Sequence, residues 1–80
     1  MSVMFELWYP PPSDSRREGS LAEKVKMLGG RLDFREEPLP GRTDGICLTF
    51  EFDHWEEAEK AARFLRLQGE HIEGPQEYGK

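Results

Sequence analysis

Two histidines, one cysteine and sixteen carboxylates are the side chains of this 80-residue chain that could carry metal, nucleophilic or acid–base chemistry. His54 and His71 flank a helical stretch, so the length of a helix separates them. Protein metal sites draw ligands from close spacings such as C-x-x-C or H-x-x-x-H, and neither occurs here. No metal and no cofactor is therefore expected. Cys47 has no histidine close in sequence to take its proton, so it reads as a small side chain on a sheet face rather than a nucleophile. The carboxylates of 51–59 look like catalytic pairs but alternate with bases. Glu56–Lys60 and Glu59–Arg63 have the i,i+4 spacing of a solvated helix face. The segment SDSRREGS (13–20) is the candidate anion site. It leads into a helix N-terminus, where free N–H groups favour negative charge, and Arg16, Arg17 and the expected cap Ser20 would add contacts.

The elements that position these groups follow from periodicity. Val3, Phe5, Leu7 and Tyr9 alternate with Met4, Glu6 and Trp8, which predicts a first strand ended by Pro10–Pro12. Ser20 and Glu23 form an S-x-x-E capping box, and Leu21, Val25 and Leu28 share one helical face before Gly29 and Gly30. Leu32 and Phe34 alternate with Arg31, Asp33 and Arg35 in a second strand. The stretch 36–45 holds two prolines and two glycines and reads as a turn region. In the third strand, 46–52, Ile46, Leu48, Phe50 and Phe52 share one face and Cys47, Thr49 and Glu51 the other. Asp53 is the expected cap of a second helix with the buried stripe Ala58, Ala61, Ala62 and Leu65, stopped by Gly69. His71–Gly74 is a short fourth strand that Pro75 ends.

The order β-α-β-β-α-β predicts an α+β fold of the ferredoxin-like kind. Right-handed crossovers put both helices on one face of a four-stranded antiparallel sheet ordered 4-1-3-2. Residues 1–75 make one domain, and 76–80 are expected to be a flexible tail. The core should hold Val3, Phe5, Leu7, Leu32, Phe34, Ile46, Leu48, Phe50, Phe52, Ala58, Ala62, Leu65 and Ile72. The uncovered sheet face would carry Met4, Glu6, Trp8, Cys47, Thr49 and His71, with Arg31 and Arg35 beside them. These six are the candidate partner or ligand contacts, centred on Trp8, and a homodimer or another protein is the expected partner.

Residues 41–61, GRTDGICLTFEFDHWEEAEKA, resemble the third strand and second helix of an RNA-recognition motif, with Gly41, Arg42, Gly45, Glu57, Ala58 and Ala61 matching its scaffold. The resemblance implies the same element order and a base-stacking sheet. The family's stacking aromatics fall on Ile46 and Leu48, and Asp44 stands where the family is basic, so nucleic acid is not the expected partner. Residues 50–79 are similar to the helix-bearing half of glyoxalase-like βαβββ modules, which implies a fragment-like enzyme component with a His/Glu metal set supplied elsewhere.

Composition bounds the rest. Eleven Lys+Arg against sixteen Asp+Glu give a net charge of −5, which opposes phosphate backbones. The single cysteine excludes an internal disulfide and fits a reducing cytoplasm. MSVMFELWY lacks the basic start of a signal peptide, and no apolar run approaches membrane-spanning length. A small non-catalytic interaction or regulatory domain is the expected function.

Overall fold

A computed structural model describes residues 2–38, 40–41 and 45–78. Six elements run in the order β1 (Ser2–Tyr9), α1 (Ser15–Met27), β2 (Gly30–Glu36), β3 (Ile46–Phe52), α2 (Trp55–Leu67) and β4 (His71–Tyr78). The strands form one antiparallel sheet ordered β2-β3-β1-β4, which reads β4-β1-β3-β2 from the opposite edge. The two most apolar strands, β1 and β3, are central, and the charged strands are edges.

The core forms because β1 and β3 are in register. Val3, Phe5, Leu7 and Tyr9 stand opposite Phe52, Phe50, Leu48 and Ile46, so four apolar pairs line one face. Leu21 and Val25 of α1 and the alanine stripe and Leu65 of α2 close over that face in a single cluster. Phe5 packs against Phe50 and Phe52 at ring separations of 5.8 and 5.4 Å, in tilted geometries that suit aromatic quadrupoles. Each fully buried Phe or Leu contributes about 1.5–3 kcal/mol by removal from water. Positive-φ glycines, Gly29 and Gly69, stop the two helices.

Four expectations are corrected. The first concerns α1, which begins five residues before Ser20. Asp14 is its cap and accepts from the Arg17 N–H at 3.0 Å, while Ser20 lies exposed in the second turn. In the second, His54 caps α2 without a side-chain bond, because the Asp53 carboxylate turns to Arg31 at 3.0 Å.

The third concerns β2. Gly30, Arg31 and Leu32 pair with Phe52, Glu51 and Phe50, but the register then shifts and Phe34, Arg35 and Glu36 pair with Thr49, Leu48 and Cys47. Asp33 is the extra residue of a β-bulge, and one added residue exchanges the faces of everything after it. Phe34 therefore leaves the core face and is 57% exposed beside Thr49, while Arg35 turns to the helix side. Leu32 stays on the helix side but lies at the sheet edge, 44% exposed.

The fourth concerns β4, which continues through Pro75 to Tyr78 instead of ending at Gly74. A register shift between Met4 and Glu6 sets Gly74 and Pro75 opposite Phe5. Gly74 has φ +107, and a Cβ there would lie 3.3 Å from the Met4 carbonyl oxygen. An edge-strand bulge accommodates Pro75, which has no N–H to donate. Arg66 donates to the carbonyls of Ile72 and Gly74 at 3.0 and 2.8 Å, tying the bulge to α2. Residues 76–78 are thus strand, and the remaining two tail residues, Gly79 and Lys80, lie outside the described residues.

Candidate functional site

The sheet face away from the helices is ordered in rows that the strand register fixes. One row runs Glu36, Cys47, Trp8, His71. The next runs Phe34, Thr49, Glu6, Glu73, and the third Arg31, Glu51, Met4, Gln76. The candidate contacts Met4, Glu6, Trp8, Cys47, Thr49 and His71 all fall within these rows. Their surroundings differ from those expected.

Glu6, not Trp8, holds the middle of the face. Trp8 lies one row toward the end of the sheet that meets Gly45, where a Cβ would come 3.6 Å from the indole Cε3. The ring is half-buried, and its Nε1–H has no accessible surface and no acceptor among the described residues. Met4, Glu6 and Thr49 are half-buried as well. Cys47 is buried, 3% exposed, in contrast to the open small side chain expected, and it stands outside the core cluster. Burial, followed by the nearby Glu6 carboxylate, pushes its thiol up to about 11, so it stays protonated at neutral pH. His71 is exposed, with Nε2 at 3.2 Å from Glu73.

Phe34 is the residue that sequence reasoning missed. Alternation within 31–35 places it with Leu32, and nothing in the residue types marks Asp33 as a bulge. Arg35 leaves the face for the same reason. It makes a fork to Glu18, with Nε to Oε1 at 2.6 Å and Nη2 to Oε2 at 3.1 Å.

Glu18 is the hub of a second cluster, under the start of α1. Tyr9 Oη donates to its carboxylate and accepts from the Asp14 N–H at 2.9 Å. Arg35, then Tyr9, hold the Glu18 carboxyl below its ordinary range against the opposing effect of burial. Burial and the bond to Glu18 raise the Tyr9 phenol. Arg17 lies over the Tyr9 ring at 4.8 Å and pairs with Glu70 at 2.8 Å. One part of the expected anion site is corrected: Ser20 is not at the helix end, while Arg17 is engaged by the Glu70 carboxylate and the Tyr9 ring and Arg16 is an exposed residue of the first turn. The cluster fastens α1 to β1 and β2.

A cleft of about 410 Å³ opens between the end of α1 and the start of α2, lined by Met27, Leu28, Gly29, Glu56, Glu57 and Lys60. It gathers two carboxylates and an amine. Among the described residues, no group of three or more His, Cys, Asp or Glu could hold a metal ion. None of the described helices is long and apolar enough to cross a membrane.

The positions matching the stacking aromatics of RNA-recognition motifs, Ile46 and Leu48, are in the core at 1% and 0% exposure, so their side chains cannot stack on a base. Gly41 and Gly45 of that resemblance are described; Arg42 and Asp44 lie outside the described residues. No protein-family model matches the chain, and no curated protein matches it in sequence.

Proposed function

We propose that the chain is a non-catalytic interaction domain of ferredoxin-like architecture whose contact surface is the open face of its sheet. The carrying observation is the β2 bulge. It turns a large aromatic, Phe34, out of a small core and onto a face that already holds Trp8 and Met4. Six large apolar side chains are exposed among the described residues, Met27, Leu32, Phe34, Trp55, Phe64 and Leu67. Of these Phe34 is the one on the open sheet face, beside the half-buried Trp8 and Met4, which supports a contact role there. The second hypothesis, a fragment-like enzyme component, would need groups from another chain. The buried, protonated Cys47 and the internally neutralised Glu18 cluster favour the binding role.

A second occupant, another copy of the chain, is favoured by Phe34 and Met4 and opposed by Glu6 at the centre, where two apposed carboxylates would repel.

Photocross-linking in the cells that make the protein tests the reading. A benzophenone side chain at position 34 is expected to give discrete adducts, while one at Leu67, 83% exposed on α2, gives none. Adducts at 67 and none at 34 would place the contact on the helix layer and defeat the proposal.

A further inference from the structure

We infer that the open sheet face receives an arginine- or lysine-bearing segment of a partner protein. The inference rests on the contact role proposed for this face and adds the chemistry of what lands there.

Charge is the first observation. The face holds four carboxylates, Glu6, Glu36, Glu51 and Glu73, and among the described residues one guanidinium, Arg31. Arg31 is engaged at 3.2 Å by Glu51 and at 3.0 Å by Asp53. Glu6 and Glu36 have no hydrogen bond or ion pair among the described residues, and Glu73 has only His71. Glu6 and Glu73 stand directly opposite each other in the β1–β4 register. Like charges facing across a strand pair destabilise a sheet, and a cation placed between them removes that repulsion. Glu6, Glu36 and Glu73 also all act on the Cys47 thiol, so the three fields converge on one part of the face.

Aromatic placement is the second observation. Phe34 and Glu6 share a row with Thr49 between them, about 10 Å apart at two strand spacings. Glu36 is the unpaired carboxylate nearest the ring, two residues along β2 on the same face and about 7 Å away. An exposed ring with a carboxylate at that distance suits a guanidinium that stacks on the one and donates to the other, leaving Glu6 and Glu73 for a second cation of the segment. Four strands span about 14 Å, which an extended segment of about five residues crosses.

Two alternatives fit less well. Symmetric face-to-face pairing of two copies about the middle of the face sets Glu6 against its own equivalent. Addition of a strand needs a clean edge, and both edges are interrupted, β2 at Asp33 and β4 at Gly74–Pro75. The segment therefore lies across the face.

The test is fluorescence anisotropy of the full chain with a labelled decapeptide of alternating arginine and serine. Binding at 50 mM salt is expected, weakening at least tenfold by 300 mM. The Glu6→Gln/Glu73→Gln double variant is expected to lose at least tenfold in affinity, and Phe34→Ala at least threefold. Glu56→Gln/Glu59→Gln on α2 should change affinity less than twofold. Thermal melts confirm that each variant is folded; should the double variant not fold, Glu36→Gln alone replaces it, with a threefold loss expected. No binding at 50 mM, or equal losses from the α2 variant, would overturn the proposal. If the peptide fails while cross-linking from position 34 succeeds, the contact surface stands and its cationic partner falls. If both fail, both fall.

Discussion

At the scale of single residues, the chain separates groups that are chemically quiet from groups that hold the fold. Cys47 is quiet because burial and the surrounding carboxylates keep it as a thiol up to about pH 11. Iodoacetamide at pH 8 should therefore modify the native chain at least tenfold more slowly than the same chain in denaturant. Comparable rates would mean that the thiol is open. Glu18 has the opposite character. Its folded carboxyl titrates below the ordinary 4.5, held there first by Arg35, so the unfolded chain binds its proton more readily. The stabilisation is fully present above the unfolded value and is lost as pH falls through the lower, folded one. Stability should thus decline below about pH 4.5, and Glu18→Gln should flatten that part of the urea-midpoint profile. A variant with the wild-type acid limb would remove Glu18 from the account. Tyr9→Phe deletes one bond to Glu18 and one from Asp14 and should cost about 1–2 kcal/mol by denaturant melts.

At the scale of elements, the two bulges decide what the sheet presents. Phe34 is 57% exposed and Phe50 is fully buried, though both are phenylalanines on adjacent strands. Phe34→Ala should shift stability by less than about 0.5 kcal/mol, while Phe50→Ala should cost about 3–5 kcal/mol. A large loss from Phe34→Ala would show that the ring is in the core and the bulge is absent. Glycines give a matched pair of the same kind. A Cβ at Gly30 would sit 2.5 Å from the Phe52 ring and 2.7 Å from Val25, so Gly30→Ala should cost about 1–3 kcal/mol where α1 meets β2. Gly19 lies on the exposed side of α1 with nothing within 4 Å, and Gly19→Ala should stabilise by about 0.5–1 kcal/mol. Melting temperatures moving in the same direction for both would contradict the packing.

These elements also show where the sequence was legible. β1, β3 and α2 could be read because an unbroken period of 2 or a dense alanine stripe is itself the physics of burial. At the start of α1, Ser20–Glu23 mimics a capping box, while the true cap, Asp14, is supported by a bond to Tyr9 that no local pattern displays. In β2 pattern and structure part at one residue, and that residue changes the site. Alternation gives a face only while register is unbroken, and Asp33 breaks it without a glycine or proline to mark the place. β4 runs past Pro75 because a proline ends a central strand but not an edge strand at a bulge. The register puts all six candidate contacts on the open face, which alternation alone can show; the presence of Phe34 there and the burial of Cys47 and Trp8 depend on the bulge and on packing, which it does not show.

At the scale of the whole molecule, charge is distributed by layer. α1 carries Arg16, Arg17, Lys24 and Lys26 against Glu18 and Glu23, and α2 carries three bases against three acids, so the helix layer is net positive by two. The open face is net negative by three, four carboxylates less Arg31. The net charge of −5 thus understates how polarised the domain is, and a cationic segment is steered toward one side of it. Amide chemical-shift mapping during titration with the arginine–serine decapeptide tests this account most directly, because it reports every described strand and helix in one experiment. The expected result is shifts concentrated at Glu6, Trp8, Phe34, Glu36, Thr49 and Glu73, with the amides of 15–27 and 55–67 still. Shifts spread over the helices, or confined to them, would contradict it.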